Sequence, residues 1–204
     1  MNLNSEEQDM LSGRQGPATR KAMQILLALG TIYGAERMVP VTSVQVAGVS
    51  YDNLGEAGLR FLSDMAAGGA KARVRTTLNP AGMDVENWPA LGIRPEFAER
   101  QVQVIDAFAR MGIEPTCTCA PYLVGNLPGP GEHIAWAESS AVCYANSVLG
   151  ARTNREGGPS ALAAALTGRT PEYGCHLDEN RSPGLTVQVE ARLQGSSDFG
   201  ALGR

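Results

Sequence analysis

The feature that most narrows what this chain can fold into is a repeated change in the spacing of its apolar residues. Ala22, Ile25, Leu26, Leu29 and Ile32 recur at the helical interval, and the run from Met38 to Val46 then gives up that interval for a continuous, valine-rich stretch. The first pattern predicts a helix that turns one stripe toward a core, entered through Gly16-Pro17, where proline suits a first turn. The second predicts a buried strand. The change recurs: helical spacing from Asn53 through Leu59, Phe61, Leu62 and Met65 is stopped by Gly68-Gly69, and Ala72 to Leu78 reads as a strand. A third cycle runs from a helix through Pro95, Phe97, Val102, Ile105, Phe108 and Met111, ended by Gly112, to a strand over Ile113 to Thr118. Strands alternating with helices that each cover a face imply βαβ units. The expected fold class is therefore α/β, a largely parallel sheet flanked by helices.

Beyond Cys119 the chain becomes rich in glycine and proline (Leu127 to Gly131). It resumes with helical spacing through Ile134, Ala137, Ala141 and Tyr144 toward Leu149, and a further helix starts at Pro159. Leu185, Val187, Val189, Ala191 and Leu193 alternate with polar residues and predict a strand, with no capping helix after it before Gly203-Arg204. At 204 residues a single well-buried core is expected, so the whole chain is read as one domain.

Charge and composition exclude several partners. The 17 Lys+Arg and 21 Asp+Glu give a net charge of −4 and are scattered without basic stripes, which argues against nucleic acid. No apolar run approaches the roughly 18–20 residues of a membrane span, and the polar, acidic start MNLNSEEQDM is not a secretory signal. The four cysteines, Cys117, Cys119, Cys143 and Cys175, are expected as reduced thiols in a cytoplasmic protein.

Chemistry is expected where the strands end, since open parallel sheets bind ligands outside their carboxyl edges. Gly48-Val49-Ser50 offers close backbone approach, a hydroxyl and a following helix start suited to an anion. Thr76 to Gly82 adds hydroxyls and the amide of Asn79 beside Pro80. Taken alone, either loop reads first as an ordinary β-to-α turn. In Thr116-Cys117-Thr118-Cys119, cysteines two apart in an extended chain point to opposite sides, so at most one readily faces a common site. Both also suit a role as small buried apolar residues. Cys143, within an apolar helix, and Cys175 are read as packing residues. Glu132-His133, Trp136 to Ser140 and Asn154 to Ser160 each suit either an anionic substrate or simple helix capping. His176 with Asp178 and Glu179 reads as a solvated loop in preference to a metal or acid–base cluster.

The stretches GTIYGAERMVPVTSVQVAGVSY, TTLNPAGMD, PTCTCAPYLVGN, GEHIAWAESSAVCYANSVLGARTNREGGPSALAAALTGRTPEYG and HLDENR together resemble the large subunit of the aconitase X family over nearly the whole chain. The resemblance implies a dehydratase whose iron–sulfur cluster, of the 4Fe-4S kind, is held by three cysteines and leaves one iron open to the substrate hydroxyl. Cys119 sits where the family's Cys-x-Pro-Tyr pattern places its first cluster ligand, and Cys117 does not. Gly48, Val49, Ser50, Asn79 and Pro80, with Glu138 and Ser139, match segments that in the family contact a phosphorylated, anionic substrate. Asn154, Arg155 and Glu156 match a supporting motif.

Two activities are implied, dehydration of (R)-5-phosphomevalonate to trans-anhydromevalonate 5-phosphate in isoprenoid synthesis, and dehydration of cis-3-hydroxy-L-proline. The wording VAGVSY, TTLNPAG and NREGGPSALAAALTGRTPEYG resembles the first type more. By the same resemblance residues 1–204 correspond to the amino-terminal part of the catalytic subunit, with the other two cluster cysteines in a missing carboxyl-terminal half and a catalytic serine on a small swivelling partner subunit. The chain alone is then expected to be inactive. The competing reading from another class is a non-catalytic module holding zinc on Cys117, Cys119, Cys175 and His176, or a fragment without function.

Overall fold

The computed structural model describes residues 1–202, and the expectation placed on Gly203-Arg204 lies outside them. Its organising element is β2 (Ser43–Val46), in which all four residues are buried. β3 (Arg75–Leu78) and β4 (Ala135–Trp136) pair with it in parallel on either side, giving the order β3-β2-β4. Continuous burial along β2 is what a parallel strand covered on both faces requires. Single parallel bridges extend the sheet, from Thr77 to Glu114 on one side and from Trp136 to Arg155 on the other. The α/β expectation, with a largely parallel sheet, holds.

The helices cover the sheet as their spacing predicts. α2 (Pro17–Ile32) buries Ala22, Met23 and Leu26 against α6 (Gly158–Thr167), whose residues from Ser160 to Thr167 are all buried. α3 (Tyr51–Ala67) turns Leu59, Leu62 and Met65 inward, and α4 (Pro95–Arg110) turns Ala98, Val104, Ala107 and Phe108. Each large apolar side chain so removed from water contributes about 1.5–3 kcal/mol over an exposed one. Gly55 breaks α3 after its first turn, at φ 58 and ψ −170, a conformation essentially reserved for glycine. Among the described residues, no helix is long and apolar enough to cross a membrane.

Several expectations are corrected. The run from Met38 to Val46 is two strands, because Val41 and Thr42 hand the chain from one sheet to another. β1 (Met38–Pro40) pairs antiparallel with β5 (Arg169–Pro171), while Val41 N–H bonds to Gly168 O and Thr42 N–H to His133 O. The strand expected over Ile113 to Thr118 is reduced to the bridge at Glu114. Pro115 has no N–H to give, Thr116 N–H turns back to Glu114 O at 2.8 Å, and Cys117 stands at φ 46. The helix expected from Ile134 is a strand at its start, since Ala135-Trp136 forms β4. Helix begins only with α5 (Ser139–Tyr144) and continues as one wider π-type turn, Ala145–Leu149.

The alternating stretch from Leu185 to Leu193 joins neither sheet, and Leu185, Val187 and Val189 are 79%, 61% and 40% exposed. Alternation makes a strand only where a partner edge accepts its backbone groups. A short helix, α7 (Ser196–Leu202), follows where none was expected. The acidic start also forms an unforeseen helix, α1 (Ser5–Ser12). Asn4 and Glu7 cap each other reciprocally, at 2.9 Å in both directions, and Gly13 ends it in the left-handed region.

Candidate active site at the carboxyl ends of the parallel strands

Three loops leave the sheet at the same end, and the candidate residues divide among them. After β2, Gly48 takes φ 75, Val49 is buried, and Ser50 lies at the entry to α3. Among the described residues, the N–H groups of Val49 and Ser50 make no backbone hydrogen bond, which leaves two donors beside a glycine turn. After β3, Asn79 is fixed by its N–H to Val46 O at 2.9 Å and Pro80 is exposed. A Cβ at Gly82 would overlap Ser50 Oγ, so the first two loops touch there.

The third loop carries the thiols. Cys117 is half-buried and its thiol accepts from the Ala81 N–H; burial pushes that thiol up, opposed by the backbone bond. Cys119 is exposed. The opposite-sides geometry of an extended chain is absent here, because Cys117 is in the left-handed region and the segment is not a strand. The two cysteines are nonetheless presented differently, Cys117 toward the second loop and Cys119 to solvent.

Glu138 follows β4 and closes the ring. Its carboxylate accepts from Asn79 Nδ2 at 2.8 Å and from Ser139 Oγ at 3.2 Å. Asn79, Glu138 and Ser139 are thus joined, and the backbone of the cysteine loop reaches them through a residue not among the expected candidates. Gln45, fully buried in β2, donates from Nε2 to Thr118 O at 3.3 Å and more weakly to Asn79 Oδ1 at 3.5 Å; its Oε1 accepts from Glu138 N–H at 3.2 Å. A second overlooked amide, Gln101 of α4, is equally buried. It donates to Val49 O at 3.0 Å and accepts from the N–H groups of Tyr51 and Gly82 at 3.0 and 3.1 Å. Asn126 is a third, donating to Val44 O and Thr77 Oγ1.

An apolar cavity of about 300 Å³ opens beside Gly48, lined by Val46, Ala47, Leu54, Leu62, Phe108 and Pro159. A groove of about 930 Å³ between α3 and α4 shares no residue with the strand-end loops.

Other candidates lie apart. Asn154 binds Tyr173 O and the Cys175 N–H, and Arg155 is exposed. Glu156 is buried against Ser160 Oγ at 2.6 Å; burial lifts its carboxyl above the usual range and the hydroxyls of Ser160 and Thr170 pull it back. Cys143, expected to be packed, is exposed on α5. His176 is not in a solvated loop: it is 1% exposed and stacks on His133, with the two Nδ1 atoms 2.9 Å apart. Burial first, and then the adjacent His133, lower its pKa from 6.5 to about 3. Among the described residues, no three of His, Cys, Asp and Glu are grouped to hold a metal ion, so the zinc module has no donor set.

The chain is similar to known proteins along nearly its whole length. The sequence model described as the aconitase X first domain matches residues 1–179. The chain belongs to the aconitase X family. The phosphomevalonate dehydratase large subunit of Methanothermobacter thermautotrophicus is 58% identical to this aconitase X chain over 201 residues, 98% of this chain and 50% of its own length. The cis-3-hydroxy-L-proline dehydratase of Pseudomonas aeruginosa is 41% identical over 188 residues, 92% of this chain and 32% of its own length. The crystal structure of Thermococcus kodakaraensis aconitase X in its holo form superposes with a TM-score of 0.90 at 55% identity, covering 100% of this chain and 50% of that one. The chain spans about half the length of the phosphomevalonate dehydratase subunits it matches.

Proposed function

We propose that this chain is part of the large subunit of an iron–sulfur hydro-lyase that dehydrates (R)-5-phosphomevalonate to trans-anhydromevalonate 5-phosphate, acting with a small subunit. The observation that carries the site is the convergence of three strand-end loops, which gather a glycine turn with two free N–H donors, the Asn79–Glu138–Ser139 group and the exposed Cys119 thiol. The substrate choice is supported by 58% identity to a phosphomevalonate dehydratase subunit against 41% to a hydroxyproline dehydratase.

The donor set fits a cluster in one respect: Cys119 is an exposed thiol on the loop that follows Glu114, able to serve as one ligand. The chain contributes that one, and the remaining ligands are assigned to the longer protein. When bound, the cluster would supply a Lewis-acidic iron for the departing hydroxyl. The chain's own residues bind and orient. The Val49 and Ser50 N–H groups and the Ser50 hydroxyl suit the anionic end of the substrate, supported by the start of α3. Glu138, held by Asn79 and Ser139, keeps lone pairs free to accept from a substrate hydroxyl and fix its direction.

Co-expressing the full-length subunit with its small partner, reconstituting iron and sulfide without oxygen, and supplying the two substrates in turn tests this reading. Turnover of phosphomevalonate is expected. Turnover of cis-3-hydroxy-L-proline alone would overturn the proposal.

A further inference from the structure

Resting on that reading, we propose that Gln101 is a positioning residue that sets the separation of the two substrate-facing loops, Gly48–Ser50 and Asn79–Gly82. Its place in α4 calls for an apolar side chain, since Ala98, Val104 and Phe108 on the same stripe are all buried. A primary amide buried there stands only because its hydrogen bonds are met. All three go to backbone at the two loops: Nε2 donates to Val49 O at 3.0 Å, and Oε1 accepts from the N–H of Tyr51, the first residue of α3, at 3.0 Å and from that of Gly82 at 3.1 Å.

Those partners straddle the site. Val49 and Tyr51 flank Ser50 on the first loop, and Gly82 closes the turn that begins at Asn79-Pro80. The loops meet where Ser50 Oγ lies over Gly82, a contact that any larger residue at position 82 would push apart. One side chain anchored in a packed helix therefore holds both loops at a fixed distance. Without it, the donors on Val49 and Ser50 and the amide of Asn79 lose a common reference. Gln101 touches no ligand, and its effect passes through the loops.

The two loops would bind one ligand jointly, so releasing the clamp should raise KM more than it lowers kcat. In the full-length subunit with its small partner, Gln101→Met keeps volume and helix propensity but removes all three bonds. We expect KM for phosphomevalonate to rise about 10- to 100-fold, a typical penalty for small misplacement of positioning groups. Gln101→Glu adds a diagnostic. The ionised carboxylate accepts both N–H groups but repels Val49 O, whereas the protonated acid donates to it as glutamine does, and burial favours the protonated form. KM of Gln101→Glu should fall back toward the parent value as pH is lowered, and Gln101→Met should show no such recovery.

Val104→Ala, a core change on the same helix, should lower thermal stability and leave KM unchanged. Hydrogen exchange provides a readout independent of turnover: the Tyr51 and Gly82 amides should exchange faster in Gln101→Met than in Val104→Ala. A parent enzyme that ignores phosphomevalonate would defeat the functional reading alone, since the exchange arm still tests the clamp. Parental KM and unchanged exchange in Gln101→Met, or equal KM effects from Val104→Ala, would overturn the inference.

Discussion

Replacing His176 with phenylalanine isolates the stability linked to one buried imidazole. In the folded chain His176 stays neutral down to about pH 3, because burial and the neighbouring His133 disfavour the cation, with Arg152 and Arg181 adding to the effect and Glu172 opposing it. The unfolded chain takes up the proton near its ordinary value of 6.5. Lowering pH below that value therefore favours the unfolded state. The stability is fully present above about pH 6.5 and drains at about 1.4 kcal/mol per pH step, so about 2 kcal/mol is gone by pH 5 and about 4 kcal/mol by pH 3, where the folded imidazole begins to take up the proton as well. Phenylalanine keeps a planar ring stacked on His133 and cannot titrate. Urea unfolding at pH 7 and pH 5, followed by far-UV circular dichroism, should show the parent losing about 2 kcal/mol more than His176→Phe between the two conditions. Parallel losses in the two proteins would refute the reasoning. They would mean that the imidazole is protonated in the fold, or that it is not buried.

Three other outcomes follow from contacts already described. Gly158→Ala should destabilise the chain by about 1–3 kcal/mol, seen as a lowered melting temperature, because its Cβ would lie 2.8 Å from Ala47 O. Gly157→Ala should change stability far less, its nearest foreign atom being 3.7 Å away. Trp136→Phe should cost about 1.5–4 kcal/mol in urea unfolding, since it opens space in the core and leaves Ser43 Oγ without the indole N–H that reaches it at 2.9 Å. Cys119→Ser in the full-length subunit should abolish the visible absorption of the reconstituted cluster, while Cys143→Ser should preserve it. The chain of 204 residues alone should develop no stable band, having no group of three ligands among its described residues.

What could be read in the sequence was what periodicity encodes locally. α2, α3 and α4 were legible because each keeps one apolar stripe over three or more turns, α6 because Pro159 opens an apolar run, and β2 because its valines end a run without helical spacing. β4 was fused with α5 because two strand residues followed by a short helix leave no period to count. The break after Glu114 depended on Pro115 and on the left-handed Cys117, which a valine-like count of extended residues overlooks. The stretch at Leu185–Leu193 had the alternation of a strand without a neighbouring edge, and no local pattern reports that.

At the site, Gly48, Ser50, Asn79, Glu138 and the cysteines were visible as reactive or conformationally special residues at strand ends. Gln45 and Gln101 were not, because a glutamine inside a strand or helix reads as a lapse in the apolar pattern. That lapse was itself the available signal: on the stripe of Ala98, Val104 and Phe108, position 101 is the one that breaks it. His176 left no such trace, since its ring partner, His133, lies 43 positions away in sequence.

The frame beneath the candidate site is made of carboxamides. Gln45, Gln101 and Asn126 join strands, loops and the first turn of α3 through dipoles that carry no net charge. Such a frame cannot be titrated away between acid and alkaline conditions, and dissolved ions do not screen its short, buried bonds as they screen exposed charges. It also adds no fixed charge of its own to repel or neutralise an incoming anion. Whatever dependence on ionic strength a ligand shows here should therefore come from the ligand and the groups it touches, with the scaffold holding the same shape in dilute buffer and in molar salt.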